Sequence, residues 1–548
     1  METNLAELLA AAAAAEPGKT ALSEASTGRS ITWSGLDDLA SRVAQGLSAR
    51  GLVAGYRVLI AVTNRIEFVA TYLGVLRGGM VAVPVNPRAV TGELLRMLVD
   101  SGARLVVVDE TTADVARAAV AGLGEAIAAG PVAGVDASGA VGSEGAHLGH
   151  APPRVVTVGT PAQRGEQSFE ELVAGEPRPT PVRADAEALA VLLYTSGTSG
   201  TPRAAMLSHR ALLANIEQVA AVVPPMIIGR DVVLGVLPLF HVYGLNAVLG
   251  QVLRQHARLV LVDGFDPEGV LDLIEDEAVS VVPVAPAAFV RWRDVPSLAE
   301  RMGPVRLVLS GSAPLAPELV EAFTEATGIA VHQGYGLTEA SPVVTSTLCS
   351  SHPTARSVGA ALPGIRLRLV DDRGREPEPG DSGEILLSGD NLFSGYWPDG
   401  VDGPDPDGWF ATGDVGYLDS DGDLYLVDRL KELVIVSGFN VYPSEVEEVI
   451  AEVEGVAEAA VIGVDDEETG EAVAAYVKPA RGAGTEAAAL VDAVRQHCAE
   501  RLARFKQPRI VEVVEDFPHS VTGKVQKGEL RAEQGLRHPR RHPRLLEE

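Results

Sequence analysis

Short β-rich runs alternate with helix-periodic segments through the first half of the chain, and that alternation leaves few folds open. Residues 57–62 (RVLIAV), 80–85 (MVAVPV) and 104–110 (RLVVVDE) read as strands, while 66–79 (IEFVATYLGVLRGG) and 93–102 (ELLRMLVDSG) read as helices. The pattern resumes over 257–263, 267–279, 280–286 and 305–315. Continuous apolar strands joined by helices need cover on both faces, which a parallel, doubly wound sheet provides. The expected class is therefore α/β. A chain of 548 residues is also too long for one core.

The texture changes near Gly364. Residues 365–375 (IRLRLVDDRGR), 383–389 (GEILLSG) and 392–397 (LFSGYW) read as short strands, with DDRG and DSDG as tight turns. They predict a small β-barrel or antiparallel sheet. Beyond them, helices at 445–455 and 490–505 and strands at 456–466, 471–479 and 509–518 predict a compact α+β unit. The expected division is a large domain over 1–428, a hinge at 429–431, a mobile C-terminal α+β domain over 432–535 and a flexible tail over 536–548. Residues 1–19 read as an alanine-rich or amphipathic helix, and 123–180 as the most loop-like region.

Charge and cysteine content narrow the partners. A formal net charge of −29 repels nucleic acid and anionic membranes, so neither is expected as a partner. A nucleotide site must then supply its own local compensation. The two cysteines, Cys349 and Cys498, sit in no zinc-ligand pattern and read as reduced thiols. The N-terminus lacks a basic segment, so no signal peptide and a cytoplasmic location are expected. The uncharged stretch 232–253 is long enough to span a bilayer, but Pro238, His241, Asn246 and Gln251 interrupt it. It reads instead as a strand (232–237), a turn (238–244) and a helix after Leu245, so no transmembrane segment is expected.

Four stretches carry candidate chemistry. After the apolar run ALAVLLY comes TSGTSGTPRAAMLSH (195–209), whose small residues let backbone N–H groups converge on phosphate oxygens. It lacks the Gly-Lys-Ser/Thr ending of a Walker loop, so an ordinary flexible loop stays open. In HQGYGLTEASP (332–342), an aromatic between glycines can lie against a base, and Glu339 can hold Mg²⁺ beside a phosphate. A capped turn is the structural alternative. Asp414, after a Thr-Gly turn, can accept hydrogen bonds from ribose hydroxyls, and Lys524, in a Thr-Gly-Lys turn, can reach a distant site as a point charge.

Taken together and in this order, YTSGTSGTPR, PLFHVYG, SGSAPL, GYGLTE, TGD, DRLKELVIVSGFNVYPSEVE and TGKVQK resemble the motifs of the adenylate-forming superfamily. That superfamily comprises acyl-CoA synthetases, luciferases and the adenylation domains of peptide synthetases. The similarity spans about residues 190–530 and is greatest to fatty acyl-CoA synthetases. It implies that Thr195, Ser196, Gly197, Thr198, Ser199, Gly200, Thr201 and Arg203 wrap the phosphates of ATP. The family usually has lysine at Arg203 and glycine at Ala204; arginine keeps the charge and can fork onto two phosphate oxygens.

By the same resemblance, Gly311, Ser312, Ala313 and Pro314 frame the adenine together with Gly334, Tyr335, Gly336 and Leu337, with Tyr335 against its face. Thr338 bonds a phosphate, Glu339 and Thr195 hold Mg²⁺, and Asp414 and Arg429 bind the ribose. Lys431 is the hinge residue. Lys524 reaches the α-phosphate and the substrate carboxylate. Ser437, Gly438 and Phe439 line the coenzyme A tunnel. His241, Val242, Tyr243 and Gly244 gate the acyl pocket.

The implied reaction joins a carboxylic acid to coenzyme A through an acyl-AMP, consuming ATP with Mg²⁺. No aspartate follows PLFHVYG to pair with an ammonium group, which disfavours amino acids and favours a medium- or long-chain fatty acid. Open alternatives are an aryl-CoA ligase of the coumarate type, a fatty acyl-AMP ligase feeding a carrier protein, and a non-catalytic nucleotide binder. A monomer or a homodimer is expected.

Overall fold

The computed structural model describes residues 2–128, 152–175, 185–195, 202–371, 373–378, 380–429, 432–436, 439–466, 470–480, 487–519, 525–528 and 530–531. Its large part is built on two seven-stranded sheets of matching design. In the first the spatial order is Gln167–Ser168, Arg154–Val158, Leu105–Asp109, Arg57–Ala61, Val81–Pro84, Leu189–Thr195 and Arg203–Ser208. In the second it is Val331–Gln333, Leu307–Ser310, Val281–Val284, Val232–Gly235, Arg258–Leu261, Thr20–Glu24 and Ser30–Thr32. Each is parallel except for its last strand, which returns antiparallel. Central strands such as Leu105–Asp109 are buried at every residue, which accounts for apolar runs without alternation.

Helices cover the sheets because their polar ends are satisfied locally. Thr32 caps Trp33–Ala49, Ser208 caps His209–Ala220 and Asp266 caps Pro267–Asp276, each side chain accepting a first-turn N–H. The N-terminal helix Ala6–Ala15 buries Leu8, Leu9 and Ala12, and the Leu5 N–H donates to His209 Nδ1 at 3.2 Å. Asn64, just beyond Arg57–Ala61 of the first sheet, donates to the carbonyls of Gly235, Leu237 and Val262 in the second. One amide thus ties the carboxyl ends of the two sheets together.

Three expectations change. The region 123–180 is not all loop: Arg154–Val158 is a parallel strand and Phe169–Leu172 a short capped helix. The β-rich part is an open four-stranded antiparallel sheet rather than a barrel, in the order Arg366–Val370, Gly383–Ser388, Phe410–Leu418, Leu424–Arg429. LFSGYW forms no strand of that sheet. Instead residues 394–397 lie along the free edge of Arg203–Ser208, where Met206 N donates to Gly395 O and Trp397 N to Ala204 O. The cause is register: an edge strand leaves a row of unpaired groups, and this segment satisfies them.

The helix anticipated after Leu245 starts two residues earlier and is a π-helix, Tyr243–Gly250, running into Gln251–Gln255. Gly244 permits this start, since a Cβ there would lie 2.4 Å from Pro238 O. Among the described residues no helix is long and apolar enough to cross a membrane. From Val434 onward the chain has its own core, in which Val434, Ile450, Val461, Val473, Val494 and Cys498 pack between helices Pro443–Ala451 and Ala487–Arg501 and a five-stranded sheet.

Candidate active site

Four of the chemistry-bearing stretches leave the carboxyl end of a strand of the two large sheets, while Asp414 lies within the antiparallel strand Phe410–Leu418. Thr195 ends Leu189–Thr195, His241 follows Val232–Gly235, Gly311 follows Leu307–Ser310, and Gly334 follows Val331–Gln333. In open α/β sheets ligands bind outside that edge, because the loops there diverge and helix N-termini point inward.

The turn after Gly334 is held from several sides. Gly334 and Gly336 are required by close backbone: a Cβ would lie 2.6 Å from Thr345 O and 2.4 Å from Pro342 O respectively. Leu337 then leads into the single 3₁₀ turn Thr338–Ala340. Buried amides clamp residues 340–343. Asn246 Nδ2 donates to Ser341 O at 2.7 Å, and Asn391 Nδ2 to Ala340 O at 2.7 Å. Asn215 donates to Val343 O at 2.7 Å and accepts from Val343 N at 3.0 Å. Gln218 joins Asn215 to Asn391, so the three amides form one network. No sequence motif singles out any of these four amides.

Glu339 is partly buried, and its Oε1 accepts the Tyr396 hydroxyl at 2.5 Å. Tyr335, expected on an adenine face, is buried and donates its hydroxyl to Asp414 Oδ2 at 2.6 Å. Asp414 and Arg429 are direct cross-strand partners of Phe410–Leu418 and Leu424–Arg429, so the two ribose candidates meet in register. Ser312 is exposed with φ +77°, a strained conformation for a residue with a side chain, and Ala313 and Pro314 continue that turn.

On the other side, Gly311 receives the Tyr243 ring: a Cβ at 311 would lie 3.0 Å from its Cε1. His241 is half-buried, and burial pushes its imidazole down to about 4. Its Nδ1 accepts the Tyr243 N–H at 3.3 Å, which leaves the ring proton on Nε2. Val242, Leu245 and Val248 are buried, and no aspartate, glutamate, lysine or arginine occurs between Val232 and Leu253. This side is apolar and uncharged.

At the phosphate-loop stretch, Thr195 pairs with Arg203 across the ladder, and its Oγ1 donates to Arg203 O at 3.3 Å. The base of the loop is thereby closed. Ser196, Gly197, Thr198, Ser199, Gly200 and Thr201 lie outside the described residues, as do Lys431, Ser437, Gly438 and Lys524. Phe439 opens the strand Phe439–Val441, paired with Val436. Gln526 N donates to Pro518 O at 2.8 Å.

The sequence profile of the AMP-binding enzymes matches residues 9–397, and that of their C-terminal domain matches 445–524. The chain belongs to the AMP-binding enzyme family. It is 33% identical over 536 residues to a 4-coumarate–CoA ligase-like protein of Oryza sativa subsp. japonica, covering 94% of this chain and 90% of that one. It is 31% identical over 549 residues to a long-chain-fatty-acid–CoA ligase of Bacillus subtilis, covering 97% and 95%. ATP-bound MatB from Rhodopseudomonas palustris superimposes with a TM-score of 0.84 at 33% identity, covering 97% and 99%. The expectation of an ATP-dependent, AMP-forming acid–CoA ligase is borne out at the level of enzyme class, as is the α/β fold with a separate C-terminal domain. Relatives named for aryl and for fatty acids occur at comparable identity.

Proposed function

We propose that this AMP-binding enzyme activates a medium- or long-chain fatty acid and transfers it to coenzyme A. The observation that carries the reading is the junction of the two half-sites. Asn246 of the acyl-side helix bonds Ser341, two residues beyond Glu339, and Tyr243 of the same helix seats on Gly311. An uncharged, apolar wall is thereby fixed against the nucleotide turn, which suits an alkyl chain whose carboxylate meets ATP.

In the first step the carboxylate attacks the α-phosphorus of ATP, an acyl–phosphate bond forms, and pyrophosphate leaves with the electron pair. No general base is required, because the nucleophile is already ionised. His241, neutral with its proton on Nε2, donates a hydrogen bond without adding charge to the pocket. Asp414 and Arg429 bind the ribose, and the 195–203 loop with Thr338 binds the phosphates. Lys524 meets the negative charge that builds at the α-phosphorus. In the second step the thiolate of coenzyme A, approaching by Ser437, Gly438 and Phe439, displaces AMP.

The residues present fit Mg²⁺. Glu339 offers a carboxylate oxygen, Oε2, that accepts no hydrogen bond among the described residues, and Mg²⁺ commonly takes one or two carboxylates plus substrate phosphates and water. Held there by Glu339 and Thr195, the ion would neutralise charge on the phosphate oxygens. The hinge at Lys431 and the boundaries 429–431 and 432–535 belong to the same proposal, because the second step needs a different face of the C-terminal domain.

The test is pyrophosphate release with acetate, octanoate, palmitate, coumarate, benzoate and amino acids, with and without coenzyme A. A maximum at octanoate or longer with sustained turnover only with coenzyme A is expected. An optimum at coumarate overturns the fatty-acid reading and keeps the ligase. A single burst indifferent to coenzyme A points to a carrier-protein acceptor.

A further inference from the structure

We propose that Tyr396 is a positioning residue that joins Arg203, at the foot of the phosphate loop, to Glu339, and so fixes the carboxylate that takes the metal of the nucleotide. The inference rests on the metal-ligand reading of Glu339 above. Its geometry comes from an edge pairing. Residues 394–397 run along Arg203–Ser208, with Tyr396 bridged to Ala205. Side chains two apart on a strand share a face, so Arg203 lies on the same face as Ala205 and meets the aromatic opposite. The Arg203 guanidinium carbon sits 3.8 Å from the centre of the Tyr396 ring. The far end of the same ring donates its hydroxyl to Glu339 Oε1 at 2.5 Å. One rigid side chain therefore touches both charged groups.

The arrangement assigns each atom a task. The hydroxyl engages Oε1 and leaves Oε2 for a cation, so the carboxylate plane cannot rotate freely. The ring face carries the negative lobe of the π-system and seats the cation. Asp402, at φ +53°, also accepts Arg203 Nη2 at 2.7 Å, but it is 70% exposed, so the ring and not the ion pair fixes the guanidinium. Arginine serves here better than lysine, because a planar guanidinium stacks while its remaining N–H groups stay free to meet phosphate.

The experiment measures binding of a non-hydrolysable ATP analogue to the full chain, with Mn²⁺ affinity read by electron paramagnetic resonance and metal-free nucleotide affinity by calorimetry in EDTA. Tyr396→Phe keeps the ring and removes one oxygen. It is expected to weaken Mn²⁺ in the ternary complex about tenfold while leaving metal-free nucleotide affinity unchanged. Tyr396→Leu, which also removes the seat of Arg203, is expected to weaken metal-free nucleotide binding as well. Mn²⁺ affinity lost in Glu339→Gln but retained in Tyr396→Phe overturns the positioning role and keeps Glu339 as the ligand. Mn²⁺ affinity retained in both variants overturns the two readings together.

Discussion

The proposed nucleotide and acyl sides of this site are built by different means. The turn bearing Glu339 is gripped by Asn215, Asn246, Asn391 and Tyr396, all through hydrogen bonds near 2.5–3.0 Å. The acyl side offers buried Val242, Leu245 and Val248, one neutral imidazole and a tyrosine ring on a glycine. Phosphoryl chemistry places fixed charges around a phosphorus atom, where a shift of an ångström is costly, so directional bonds are needed. An alkyl chain asks only for volume and dryness, which non-directional packing supplies. The comparison predicts that substitutions on the first side act on geometry and on the second side act on choice of substrate.

The largest effect should come from Glu339→Gln, which keeps shape and removes the charge. Pyrophosphate release with octanoate is expected to fall about 100-fold or more, by analogy with the loss of one preorganised electrostatic group. A fall of less than about threefold would break the comparison at its strongest point. Next is Asn391→Ala, which leaves Ala340 O and the Gln218 amide without their partner in a buried setting. Denaturant unfolding should show a loss of about 2–3 kcal/mol, and KM should rise for ATP more than for the acid.

Acid should loosen the nucleotide side through its supporting helix. His209 begins His209–Ala220, which carries Asn215 and Gln218, and burial pushes its imidazole down to about 4. A folded value below the unfolded one means stability that is present above about pH 6.5 and lost as pH falls toward 4. At pH 5 the loss from this group is about 1.5–2 kcal/mol relative to pH 7. His209→Gln, which keeps an acceptor for Leu5 N–H, should remove that share of the acid sensitivity in melting curves at pH 5 and 7. The smallest effect belongs to Tyr243→Phe. The ring stays on Gly311, and KM for the acid should change by less than about threefold with KM for ATP constant. A larger change in the ATP value would erase the distinction between the two sides.

Legibility in the sequence divides along the same line. Gly334, Tyr335, Gly336 and Glu339 are neighbours in sequence because one turn presents them, so a single short string exposes them. Asn215, Asn246 and Asn391 bond that turn from 128, 95 and 51 residues away, and nothing in an isolated asparagine marks it as a clamp. Tyr396 sits in a string that reads as a strand of the β-rich part, and its pairing with Arg203–Ser208 depends on which edge lies open. The π-helix start at Tyr243 is hidden because Pro238 and Gly244 look like turn residues until Gly244 is seen against Pro238 O.

Local sequence is enough to establish the alternation of strands and helices, the change of texture near Gly364, the independent C-terminal unit and the contiguous candidate strings. These are patterns of burial period and backbone permissiveness, written within a few residues of where they act. Tertiary contacts alone establish that two like sheets are tied at their carboxyl ends by Asn64, that distant amides lock one turn, and that one tyrosine spans Arg203 and Glu339. Those relations exist only between elements, and a hydrogen bond's partner is chosen by packing geometry that no single segment contains.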